Sequence, residues 1–165
     1  MKIDTDTDTD TDTSNNIVIC NNYSEYQDKI IQKPSILLLS SLFFITNVVT
    51  AYCNQQYVYS FLFCILTITS LIVHYNDNFY TNIIDKIAVL SIVLYGGYML
   101  YNKINTNEWC KCFVIIVAFL LCIYLYIYDF IIKEYCFCDE KCISQKYHST
   151  MHIISSIGHH CIIYL

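Results

Sequence analysis

Two short patterns in this chain place groups able to do chemistry at helical spacing. Ser70 and His74 stand four residues apart, and so do His148 and His152. Residues at i and i+4 share one face of a helix, so each pair can act on the same side of its element. Asp85 falls at the start of the third apolar run. Three imidazoles with an open fourth position form a known arrangement for catalytic zinc. A zinc ion held this way polarises a carbonyl and acidifies water to a pKa of about 7. A neighbouring carboxylate such as Asp85 can then act as general base. A hydroxyl such as that of Ser70 can hydrogen-bond a developing oxyanion or the substrate. Spacing alone leaves a plainer alternative open. Imidazoles between membrane helices also serve as hydrogen-bonded helix contacts.

The elements that must position these groups are membrane spans. The chain has 165 residues, 56% of them hydrophobic and only 14% charged, which is far from a soluble profile. Apolar runs cover about 35–53, 57–75, 83–101, 109–132 and 148–165. Most reach the roughly 20 residues needed to cross a bilayer core. Backbone in lipid must satisfy its own hydrogen bonds, so the runs should be helices. The expected fold is therefore an all-α, polytopic bundle of about five transmembrane helices, residues 35–165. It follows a polar leader, residues 1–34, whose Thr-Asp repeat has nothing to bury. The first apolar run would act as a signal anchor, because the leader is polar and lacks the form of a cleavable signal. Tyr57, Tyr59, Tyr75, Tyr80, Tyr101 and Trp109 sit near run ends, as an interfacial aromatic belt requires. Tyr124, Tyr126 and Tyr128 fall deeper and are expected to face other helices.

Five spans put the end of the second, the start of the third and the start of the fifth on one side. Ser70, His74, Asp85, His148 and His152 then share one depth. Lysines bias that side toward the cytosol: Lys2, Lys29, Lys33, Lys133, Lys141 and Lys146 against Lys103 and Lys111. This gives an integral, multi-pass membrane protein with a cytosolic N-terminus and an outward C-terminus. The net charge of −5 excludes nucleic acid as a partner. The expected partners are the bilayer and a lipid substrate or ligand. There is no phosphate-binding glycine loop, no G-x-S-x-G and no H-E-x-x-H.

The ordered pattern Ser70-x3-His74-x10-Asp85, followed by His148-Ser-Thr-Met-His152, resembles that of the CREST superfamily of membrane hydrolases. That group includes alkaline ceramidases, progestin/adiponectin receptors and haemolysin-III-like proteins. The resemblance covers roughly residues 35–103 and 146–165, and Asn47 fits the family's first helix more loosely. It implies zinc held by His74, His148 and His152, with Ser70 and Asp85 flanking the metal as catalytic groups. It also implies hydrolysis of lipid amide or ester bonds, as in ceramidases. Family members have seven spans against five here. Removing two spans keeps the parity that puts both histidine patterns on one side. The alternative is a non-enzymatic membrane protein, a lipid-binding receptor-like or structural chain, or a decayed member of the family.

Other groups carry weaker expectations. Cys136, Cys138 and Cys142 form a C-x-C-x3-C run in a polar loop, read as juxtamembrane thiols rather than a second metal site. His159 is expected to bond a neighbouring helix. Gly96 and Gly97 allow close packing. Asp129 is expected to support a ligating imidazole or to reach the interface.

Overall fold

A computed structural model describes residues 36–76, 78–104 and 108–165. The leader and its Thr-Asp repeat, Asp77 and residues 105–107 lie outside the described residues. The described residues form helices and connecting turns, without a strand. In chain order these are α1 (Ile36–Ser41), α2 (Phe43–Cys53), α3 (Tyr57–Tyr75), α4 (Phe79–Lys103) and α5 (Trp109–Ile123). A π-helical turn (Tyr124–Tyr128), α6 (Asp129–Ile132) and α7 (Lys141–Ile163) follow.

Four stretches are long and apolar enough to cross a membrane: Ile36–Cys53, Tyr57–Tyr75, Phe79–Lys103 and Trp109–Ile132. The chain is thus an all-α membrane bundle. Its outer faces carry exposed Phe61, Leu94, Phe113 and Phe130, the surface a lipid environment selects.

Turns between helices are built by local chemistry. Gln55 closes α2 in the left-handed conformation, φ 61°. Its N–H bonds Tyr52 O and that of Gln56 bonds Ala51 O, the paired bonds of a Schellman motif. Asn78 and Thr81 cap the start of α4 reciprocally.

Helix directions follow from pairwise bonds. Ser40 meets His152, Asn47 meets Ser156, and Gln56 meets the carbonyl of Ile163. So α1–α2 and α7 run parallel, over the whole length of α1–α2. Tyr59 meets His159 and Ser41 meets Ser70, which sets α3 antiparallel to both. Lys103 at the end of α4 bonds the carbonyls of Ile162 and Ile163. The five long segments therefore alternate, and α7 crosses the bundle from end to end.

α7 is longer and more polar than expected. It begins at Lys141, inside the stretch read as a loop over 133–147. Hydropathy reports where lipid begins, whereas a helix can continue past it into water. It is not among the four strongly apolar helices because it carries Ser, His, Lys and Gln side chains along its length. Ser149, His152 and Ser156 are all buried against neighbouring helices.

The π-helical turn also departs from expectation. Tyr124 and Tyr128 stack on each other at 5.0 Å and stay 44% and 47% exposed rather than facing other helices. Tyr126 is half-buried against Phe137 of the following turn. The widened turn shifts the helical phase by about one residue. Asp129, next in the chain, is fully buried.

Candidate metal centre

The last turn of α3 and the first half of α7 meet at one end of the bundle. His74 comes from α3, and His148 and His152 from α7. Their rings converge, with centroids 5.2 Å apart for His74–His148, 5.4 Å for His74–His152 and 4.9 Å for His148–His152. Each offers one nitrogen, and these nitrogens lie within 4.8 Å of one another. Among the described residues no other set of three or more His, Cys, Asp or Glu side chains converges this way. A tetrahedral zinc with bonds of about 2.0–2.1 Å needs nitrogens roughly 3.4 Å apart. Reaching that spacing requires the three side chains to rotate. The donor set, three imidazoles from two helices, therefore fits zinc.

Two adjacent serines of α1 support this end. Ser40 Oγ lies 2.9 Å from His152 Nδ1 and donates to Leu37 O at 3.0 Å. Ser41 Oγ donates to the same carbonyl at 2.8 Å and lies 2.9 Å from Ser70 Oγ. Either hydroxyl of the Ser41–Ser70 pair can be the donor. Ser70 would have to rotate to serve a substrate oxygen. Phe44 of α2 closes the inner side of the cluster, its ring 5.2 Å from His152.

Asp85 sits on the first turns of α4, half-buried, and accepts from Thr69 Oγ1 at 2.9 Å. Thr69 is the neighbour of Ser70, so Asp85 stands at the same end of the bundle as the imidazoles. Its carboxylate is outside the converging set of three.

Deeper in the bundle lies a second polar seam. Asn47 donates to Ser156 O at 3.0 Å and to His160 Nδ1 at 3.2 Å, and accepts from Ser156 Oγ at 2.5 Å. His160 Nε2 reaches Thr46 Oγ1 at 3.0 Å. His159 Nδ1 meets Tyr59 Oη at 2.5 Å, so His159 does bond a neighbouring helix. Gly96 makes room for that contact. A Cβ there would stand 2.8 Å from the Tyr59 hydroxyl, whereas one on Gly97 would meet nothing.

Asp129 supports no imidazole. Its buried carboxylate accepts the N–H groups of Glu134 and Tyr135 on Oδ1 and of Phe137 on Oδ2. It folds the turn that leads into α7. The C-x-C-x3-C cysteines form no metal-ligating cluster among the described residues. Cys136 is buried, and burial pushes its thiol up to about 12.

Sequence reasoning missed Ser40 and the Asn47–Ser156 pair as partners of histidines. The signal was present: the adjacent Ser40 and Ser41 and the Thr46-Asn47 pair interrupt a mostly apolar first span. No family model, curated protein or solved structure matches this chain.

Proposed function

We propose that the chain is a zinc-dependent membrane hydrolase of lipid amide or ester bonds. The observation that carries this reading is the convergence of three imidazoles, from helices distant in sequence, at one end of a membrane bundle. His74, His148 and His152 would hold the metal. When bound, zinc would polarise a carbonyl and acidify water near neutral pH. Asp85, kept at the same end by Thr69, would accept the proton as general base. Ser70 would turn its hydroxyl from Ser41 to a substrate oxygen. A lipid is the fitting substrate because the cluster lies between helices whose outer faces meet the acyl chains. The lysine bias puts this end of the bundle on the cytosolic side, with the N-terminus.

The deciding measurement is zinc per chain in mild detergent, for the wild type and for His74→Ala and His148→Ala. The expected result is about one zinc in the wild type and near none in either variant. A well-folded wild type without zinc would sink the hydrolase reading. Lipid turnover lost in Asp85→Ala, with zinc retained, separates an enzyme from a binder.

A second reading, a non-enzymatic lipid-binding or structural protein, is favoured by one observation. Ser70 and Asp85 both already satisfy neighbouring hydroxyls, as helix-joining contacts do. Zinc uptake without turnover of any lipid amide or ester would select it.

A further inference from the structure

We infer that Ser40 is a positioning residue for His152, holding the imidazole with its proton on Nδ1 and its lone pair on Nε2. The argument is a count of protons. Among the described residues Ser40 Oγ has two hydrogen-bond contacts, Leu37 O at 3.0 Å and His152 Nδ1 at 2.9 Å. A carbonyl can only accept, so the single hydroxyl proton goes to Leu37 O. The Ser40 oxygen then meets Nδ1 with a lone pair, and Nδ1 must donate. A neutral imidazole carries one N–H, which leaves Nε2 bare.

The pair is held from both sides. Ser40 and His152 are both buried, and the Phe44 ring at 5.2 Å restricts the imidazole from α2. The same proton count gives the opposite tautomer at His160. There Asn47 donates to Nδ1, and Thr46, whose proton goes to Phe43 O, accepts from Nε2. The tautomer at each position is thus written by the facing residue of the first span.

The consequence for metal rests on the zinc reading; the tautomer does not. A ligating imidazole gains basicity and orientation when its other N–H is engaged, and losing that partner costs about 10–100-fold in metal affinity.

The test uses the full chain labelled with ¹⁵N-histidine in detergent, metal-free, at about pH 8, above the usual imidazole pKa of about 6.5. The His152 signals are assigned by their loss in His152→Gln. The expected result is a protonated Nδ1 and a bare Nε2 at His152 in the wild type. Ser40→Ala should lose that bias, and Ser40→Thr, which keeps the hydroxyl, should restore it. Ser41→Ala, which removes a hydroxyl from the same carbonyl but faces Ser70, should leave it alone. Competition with a chelator should show Zn²⁺ held about 10–100-fold more weakly by Ser40→Ala than by the wild type. A wild-type His152 protonated on Nε2 overturns the inference. So does a well-folded Ser40→Ala with the wild-type tautomer and zinc affinity. If the stated tautomer is found and depends on Ser40, but the wild type takes up no zinc, Ser40's role stands and the hydrolase reading falls.

Discussion

His148 and His152 sit in the first half of α7, His159 and His160 near its end, and the two pairs are built differently. At the far end, His160 has a partner on each nitrogen, and His159 bonds Tyr59 and stands edge-on to Phe63. At the near end, His148 and His152 turn toward His74, and among the described residues their hydrogen bond is that of His152 with Ser40. One residue type, on one helix, thus serves as a satisfied helix contact in one place and as a converging donor in another. A buried imidazole nitrogen facing hydroxyls or amides is explained by helix association. Three imidazoles whose nitrogens lie within 4.8 Å of one another are what the proposed zinc would need.

The largest expected effect separates the pairs directly. His148→Ala should take zinc from about one per chain to near none, while His160→Ala should leave zinc uptake unchanged. Equal loss in both would mean that the two pairs do not differ as described. The reverse contrast should appear in stability. Asn47→Ala strips Ser156 and His160 of their buried partner and should lower unfolding free energy by about 1–2 kcal/mol, read by SDS titration in mixed micelles. Its zinc content should match the wild type. Gly96→Ala is a milder version. The added methyl would stand 2.8 Å from the Tyr59 hydroxyl and must displace it from His159, at a cost of about 1 kcal/mol. The smallest effect is expected in the turn before α7. Cys136→Ser should leave zinc unchanged, because a thiol pushed up to about 12 is held in its protonated form. Alkylation of Cys136 at pH 8 should run on the order of a thousandfold slower than that of a free thiol, since the thiolate is the nucleophile. Zinc loss in Cys136→Ser would move the metal away from the imidazoles.

Much of this arrangement was legible in the chain. The apolar runs gave the helices, and alternation placed the end of α3 and the starts of α4 and α7 together. Ser70, His74, Asp85, His148 and His152 do gather at that end. The start of α7 was misread because a helix extending beyond the lipid has no reason to be apolar. Asp129 was misread because its partners are backbone N–H groups, which leave no trace in side-chain spacing. The tyrosines at 124 and 128 were misread because one π-helical turn changes which way the next residues point.

The sequence by itself determined the class of fold, the order of helices and the end of the bundle at which the histidines meet. The physical reason is that lipid admits few structures: a run of about 20 apolar residues must be a helix, and successive helices must alternate. The tertiary structure alone decided how each helix is rotated. In a bundle that is apolar inside and out, hydropathy cannot specify rotation, and the small residues and polar pairs that lock neighbouring helices do so instead. That rotation set Ser40 against His152, Ser41 against Ser70 and Asn47 against His160. With those contacts it fixed where the protons of His152 and His160 reside.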